Sequence, residues 1–295
     1  DPKSIIKRIT KRTRVILATH MFGSPCFIDE IMKIAKKYSI YVIEDCAHSL
    51  GSEFKGRKNG SFGDAAFFSF ESMKPLGTYG GGMIVINNLE LANKIKHDIS
   101  SYKTKNLAIL PKIFITYLEK TIMPTFLSKP FLYFLSSKWK DKITFFYRVI
   151  QGHPNPQIKY TNIQAFLAIE KLKTLEQRNV KRREKIGLFD SLLNNNIKPQ
   201  KIEKNGIPNY YFFVALLKDN PISIRKLLLK KGVDTGINDE ITDDCATLLG
   251  QKDCPNAQYV FQHAIHLPLY EDLSDKNIKL IAQLLNGLCS QCKKY

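Results

Sequence analysis

The chain has 295 residues, with 45 Lys and Arg against 27 Asp and Glu for a formal charge of +18, and is 44% hydrophobic and 24% charged. That balance belongs to a globular protein of about two domains, and it excludes a disordered chain, a collagen-like repeat and a small disulfide scaffold. No uncharged apolar run reaches the ~18 residues of a membrane-spanning helix, and the excess of positive charge reads either as a compositional habit of the source or as a preference for anionic partners: phosphates, nucleic acid or an acidic membrane face.

The start, Asp1-Pro2-Lys3, has no Met and no signal-like apolar stretch, and reads as a cut rather than a natural beginning. Val15-Ile16-Leu17-Ala18 is the first apolar run, suited to a buried strand. Ser24 and Pro25 offer an N-cap and a first helical residue, and Ile28, Ile31, Met32 and Ala35 share one helical face. Ile40-Tyr41-Val42-Ile43 is the next apolar run. Strand, helix and strand within about 30 residues make a βαβ unit with parallel strands. Ala65-Ala66-Phe67-Phe68 and Met83-Ile84-Val85-Ile86 are expected as two more strands. Continuous apolar runs suit a sheet covered on both faces. This half is α/β.

Residues 101–150 change character. They hold nine basic and two acidic residues, and eleven of the 32 aromatic residues. Leu110, Ile113, Phe114, Tyr117 and Leu118 form a helical stripe, and Pro124 and Pro130 break the rest of the segment into short pieces. Basic residues interleaved with aromatic ones suit a membrane interface. They equally suit a helical insertion packed on its own protein or on a second subunit. Further on, Thr161 and Gln164 have the spacing of a capping box, opening a long helix toward Asn194 with room for a break. Tyr210–Leu217 is expected as a strand, and Pro221–Lys231 as a helix ended by Gly232. Leu273–Leu288 closes the chain as an amphipathic helix. The second half reads as a smaller α+β domain. Six cysteines spread over such a length are not a disulfide framework, and Cys289 and Cys292 lack the second pair of ligands a zinc site needs. Reduced thiols point to the cytoplasm.

In a parallel α/β sheet, ligands bind beyond the carboxyl ends of the strands. Here the run ending at Ile43 is followed by Glu44-Asp45-Cys46-Ala47-His48, and the run ending at Phe68 by Ser69-Phe70-Glu71-Ser72-Met73-Lys74. Gly77-Thr78-Tyr79-Gly80-Gly81-Gly82 comes next. A lysine just past a strand end can form a Schiff base if its surroundings favour the neutral amine. An acid on the neighbouring strand can keep a pyridine nitrogen protonated, which is what pyridoxal phosphate requires. Hydroxyls can bind its phosphate, and glycines let backbone approach closely. Taken singly, Asp45 reads more simply as a cap, Lys74 as a surface residue and His48 as a core histidine.

Taken together and in this order, the segments 42–51, 60–70 and 74–82 resemble those of the DegT/StrS-type sugar aminotransferases, fold-type I enzymes that use pyridoxal phosphate. Thr161–Ala165 and His266–Tyr270 resemble two later family segments. The resemblance implies a cofactor-binding large domain with a mixed, mostly parallel, incomplete sheet over 1–105. A basic aromatic helical insertion over 106–156 would come next, and then the long helix and a smaller C-terminal α+β domain over 157–295. By the same resemblance, Lys74 carries the cofactor and moves the proton between carbon atoms, and Asp45 partners the pyridine nitrogen. His48 lies against the cofactor ring, Ser69 binds the phosphate, and Gln157 reaches the phosphate of a neighbouring subunit's cofactor. No metal is implied. The implied reaction moves an amino group, with glutamate as expected donor, onto a keto sugar nucleotide, in a homodimer of the cytoplasm or the inner membrane face.

The chain departs from the family's pattern in three places. The family's first 100 or so residues are expected to have no counterpart in this chain, which would leave a sheet edge and an apolar face uncovered. Gln157 and Lys159 stand where the family often has Asn and Arg. The 106–156 insertion is foreign to typical members. A second reading is therefore a catalytically silent relative acting as a binding or scaffold protein at a membrane, through residues 107–140. Nucleic-acid binding has no motif behind it.

Overall fold

Apolar runs at the predicted positions fold into the strands of a mixed sheet. The computed structural model of the chain describes residues 1–104, 109–122, 158–251 and 253–291. The described chain opens with α1 (Pro2–Arg8), β1 (Val15–Thr19), α2 (Ile28–Tyr38) and β2 (Tyr41–Asp45). A hairpin of β3 (Glu53–Phe54) and β4 (Arg57–Lys58) comes next, then β5 (Ala65–Ser69) and β6 (Gly82–Ile86). The sheet order is β1-β2-β5-β6. β1, β2 and β5 run parallel, whereas β6 is antiparallel to β5. The twelve residues between β5 and β6 contain no helix, so the chain cannot cross over and returns beside its own strand.

Ile28, Ile31 and Ala35 of α2 pack with Ile16, Ala18, Val42 and Phe54 to form the core under this sheet. Among the described residues, α2 covers one face and the other is covered only in part, whereas cover on both was expected. Leu17 and Tyr41 on the other face are 57% and 64% exposed. The helix also starts later than Ser24 and Pro25 suggest. Residues Met21–Gly23 form a 3-10 turn with Phe22 at φ 57°, and α2 begins at Ile28. Gly23, at φ +88°, lies so close to Asn209 that a Cβ would stand 2.0 Å from its side-chain oxygen. That contact holds the turn in place of a first helical turn.

Two further helices, α3 (Leu89–Ser100) and α4 (Leu110–Ile122), precede α5 (Asn162–Leu172) and α6 (Leu175–Leu192). Both hydrogen bonds of the expected capping box are present at Thr161 and Gln164, and the break in the long helix falls at Lys173 and Thr174. A four-stranded sheet comes from β7 (Ile197–Pro199), β9 (Phe213–Leu217), β10 (Gly236–Ile237) and β11 (Ala264–Leu267), in the order β10-β11-β9-β7, all antiparallel. The short strand β8 (Gly206–Ile207) pairs with β3 instead. Helices α7 (Pro221–Lys230), α8 (Cys245–Leu248), α9 (Pro255–His263) and α10 (Asp275–Gln291) complete the chain.

The chain divides into two compact units. One takes Asp1–Ile115, Pro154–Val180 and Ile202–Tyr211, and the other Thr116–His153, Lys181–Lys201 and Phe212–Tyr295. These units interleave along the sequence, and β8 joins the first unit by pairing with β3. In the second unit, Phe189 and Phe213 meet at 5.1 Å between ring centroids, in a core with Leu217, Ile265, Leu267 and Leu285 fully buried. Among the described residues no helix is long and apolar enough to cross a membrane.

Candidate active site

The site grows from the C-terminal ends of β2 and β5. Thr19, Asp45 and Phe67 are register partners on adjacent strands. Side chains alternate along a strand, so Asp45 and Ser69, two residues beyond Phe67, stand on the same face, the open one. Asp45 Oδ1 accepts the Ala47 N–H at 3.0 Å, which turns the chain toward His48.

Glu44, next to Asp45, points to the opposite face and is fully buried. Its carboxylate accepts the N–H groups of Gly60, Phe62 and Gly63 at 2.7–2.8 Å and the His20 Nε2 donor at 3.0 Å. Burial alone would raise this carboxyl, but the His20 bond and the three N–H groups outweigh it and hold the group below its ordinary value. His20 Nδ1 accepts the Cys26 N–H at 3.1 Å, which leaves Nε2 as the donor. His20, Glu44 and Cys46 lie within 4.8 Å of one another. The carboxylate and both ring nitrogens are already engaged, so the cluster is a structural tie rather than a ligand set.

His48 sits between two rings, stacked on Phe22 at 6.4 Å and tilted against Tyr211 at 4.9 Å. Asn209 places Tyr211 there. It is fully buried, donates to the carbonyls of His48 and Leu50 at 2.9 and 3.0 Å, and accepts the Tyr211 N–H at 2.8 Å. The Lys74 ammonium lies over the same Tyr211 ring, 4.7 Å from its centroid. Burial lowers the Lys74 amine from 10.5 to about 8, against the pull of the Asp45 and Glu71 carboxylates. Burial, assisted by the Lys74 charge, lowers His48 from 6.5 to about 4. These couplings make Lys74, Asp45 and His48 one electrostatic group.

Lys74 is carried on a tight loop. Its N–H bonds the Glu71 carbonyl at 2.9 Å, and Gly77 N–H bonds the Lys74 carbonyl at 2.8 Å. Gln164 donates to the carbonyls of Thr78 and Gly80 at 3.2 and 3.1 Å, and the Tyr160 and Thr78 hydroxyls meet at 2.7 Å. Gly81 has φ +83°, and a Cβ there would stand 2.5 Å from the Tyr160 ring. A side chain at this position is excluded by both conformation and space.

The structure thus brings Lys74, Asp45 and His48 together and sets Ser69 on the same sheet face as Asp45. Gln157 lies outside the described residues, as does most of the 107–140 segment. Sequence reasoning passed over Glu44, His20, Asn209 and Tyr211. For Glu44 a signal existed: it shares strand parity with the core residue Val42, and an acid at core parity requires buried partners. Asn209 and Tyr211 carry no such signal, since their partners lie about 160 residues away.

Comparisons with known proteins agree on one family. The family model described as the DegT/DnrJ/EryC1/StrS aminotransferase family matches residues 1–286. GDP-perosamine synthase of Escherichia coli O157:H7 is 26% identical over 97% of this chain and 68% of its own length. UDP-4-amino-4,6-dideoxy-N-acetyl-beta-L-altrosamine transaminase of Campylobacter jejuni is 26% identical over 100% of this chain and 71% of its own. Among solved structures, the PMP form of the putative sugar aminotransferase Spr1654 from Streptococcus pneumoniae superposes with a TM-score of 0.71 at 20% identity, covering 99% of this chain and 73% of that one.

Proposed function

The chain belongs to the DegT/DnrJ/EryC1/StrS aminotransferase family, and from that premise we propose that it transfers an amino group to the keto group of a nucleotide-linked sugar with pyridoxal phosphate as cofactor. The named relatives are a perosamine synthase and a nucleotide-sugar transaminase. One observation carries the reading. Lys74, on the loop that leaves the strand end bearing Ser69, lies over the same Tyr211 ring that His48 packs against, and Asp45 ends the adjacent strand.

The residues fit the cofactor. Lys74 supplies an amine near neutrality, Asp45 an anion, Ser69 a hydroxyl and His48 a flat uncharged ring. When bound, pyridoxal phosphate supplies an electron-withdrawing ring that stabilises negative charge on the carbon bearing the amino group. In this reading Asp45 holds a proton on the pyridine nitrogen and Ser69 binds the phosphate. His48 would face the ring, and its lowered basicity would keep it from adding charge there. Lys74 would hold the cofactor through its amine, and as a free amine, with glutamate as the expected amino donor, it would take a proton from one carbon and return it to another. Gln157 is assigned to a neighbouring copy's cofactor phosphate. A silent scaffold would have no use for Lys74 and Asp45 retained together.

Lys74→Ala tests the assignment. Wild-type protein mixed with pyridoxal phosphate should show a visible absorption band that borohydride fixes to Lys74. The variant should lose both the band and all transamination. Turnover in the variant would remove Lys74 from the role.

The reading extends to a homodimer in the cytoplasm, with peripheral contact at the inner membrane face. Ile163, Phe166 and Ile169 on α5 are 45–63% exposed, and a second copy would cover them. On α4, Leu110, Phe114, Tyr117 and Leu118 are exposed in a segment of nine basic and two acidic residues. Such a helix can seat its rings at the headgroup level while its lysines reach anionic lipid. The protein should therefore pellet with anionic vesicles at low salt and be released as salt rises. Deleting 107–140 should abolish pelleting. Indifference to anionic vesicles at low salt would sink the membrane contact.

A further inference from the structure

Beneath the Lys74 loop, three side chains spaced seven residues apart each donate to its backbone. Gln164 serves the carbonyls of Thr78 and Gly80. Lys171 Nζ donates to the Gly77 carbonyl. Arg178 reaches the Pro75 carbonyl with Nη1 at 2.7 Å and the Lys171 carbonyl with Nη2 at 2.9 Å. A seven-residue step is about two helical turns, so the three donors form a row along α5 and the start of α6. Arg178 spans the break between the two helices and ties the last turn of α5 to the loop. Lys171 also lies 5.9 Å from the centroid of the Tyr79 ring.

The loop requires these donors. Pro75, Leu76, Gly77 and Thr78 are buried, and their segment belongs to neither helix nor strand. Buried carbonyls outside regular structure must find donors elsewhere. Two of those donors are cations, and charge-assisted bonds are the stronger kind. The backbone above them is also closely folded, since a Cβ on Gly77 would stand 2.4 Å from the Ser72 carbonyl.

We propose that Lys171 and Arg178 are positioning residues for Lys74: by holding the carbonyls of Gly77 and Pro75 they keep the loop closed and the Lys74 amine shielded from water. The inference rests on the reading of Lys74 as the residue that bonds the cofactor. Without the cations, the carbonyls must take bonds from water, and the loop must open to admit it. Water reaching Lys74 would restore the solvation of its charged form and raise its proton affinity from about 8 toward 10.5.

The test uses the full chain, with and without pyridoxal phosphate, in the wild type and in Lys171→Met, Arg178→Met and Arg178→Lys. In cofactor-free protein, the pH dependence of Lys74 acetylation by acetic anhydride, read by mass spectrometry, gives the titration midpoint of its amine. Both methionine variants should raise that midpoint by roughly half a pH unit or more and speed amide exchange in residues 74–80 roughly tenfold. Arg178→Lys keeps the charge but cannot serve two carbonyls, and should shift the midpoint less, in the same direction. Folded methionine variants with unchanged midpoint and exchange would overturn the proposal. If the methionine variants do not fold, Arg178→Lys decides: a raised midpoint supports the clamp and an unchanged one overturns it. A wild type that forms no visible band with pyridoxal phosphate, while the variants still shift the midpoint, would remove the cofactor reading and leave the clamp standing.

Discussion

Glu44 and Asp45 are adjacent acids on one strand with opposite employment. Alternation sends Glu44 into the core, where four donors satisfy it. It sends Asp45 to the open face, within the field of Lys74. Their substitutions should separate accordingly. Glu44→Gln turns an acceptor-only group into one with an N–H₂ facing other donors, and breaking such a buried network costs about 3 kcal/mol. Urea unfolding should show that loss. Asp45→Asn keeps the size of the side chain and an acceptor for Ala47 N–H, so the unfolding midpoint should stay near wild type while most transamination disappears. An Asp45→Asn protein with normal turnover would reduce the acid to a cap.

At the scale of elements, α5 is the piece that joins helix formation to site geometry. Thr161 Oγ1 accepts the Gln164 N–H, and Gln164 Oε1 accepts the Thr161 N–H at 3.0 Å. The same Gln164 side chain donates through Nε2 to the loop after Lys74. Thr161→Ala removes a cap alone and should cost about 1 kcal/mol. Gln164→Ala removes half of the capping box together with two buried bonds to the loop. It should cost more stability and also weaken retention of pyridoxal phosphate, measured by dialysis of the loaded protein. Equal losses in the two variants, with cofactor retained in both, would show that Gln164 serves only the helix.

For the molecule as a whole, buried neutral bases set the response to pH. Burial lowers His48 and His266 from 6.5 to about 4, and His266 lies against Phe212 with ring centroids 4.3 Å apart. In both cases the unfolded chain binds the proton first. Stability is therefore full above about pH 6.5 and is lost as pH falls toward 4, by up to about 3 kcal/mol for each histidine. Lys74 acts at the other end. Its lowered value means that stability rises as pH goes from about 8 to 10.5. Urea titrations of cofactor-free protein at pH 4.5, 7 and 9.5 should trace this profile, and His48→Gln should flatten its acid limb. An acid limb unchanged in that variant would exclude His48 from it.

The sequence by itself determined the βαβ start, the sheet strands and the capped helix at Thr161, and it set Lys74, Asp45, His48 and Ser69 just past strand ends. Each is written in local patterns: apolar runs, cap spacing, and polar residues just past a strand. Local pattern did not show that β6 runs antiparallel, because direction depends on whether the connection can cross the sheet. Nor did it show that Ser24 and Pro25 fail to start a helix, since Asn209, distant in sequence, holds the turn at Gly23. Of the two neighbouring acids, only the tertiary structure showed what Glu44 meets. Strand parity turns one of them inward, and the N–H groups of residues 60–63 are waiting there to satisfy it. The tertiary structure likewise brought Tyr211 against His48 and Lys74, and set Lys171 and Arg178 beneath the loop. Those contacts join residues about 90 to 160 positions apart, and long-range packing leaves no period in a sequence.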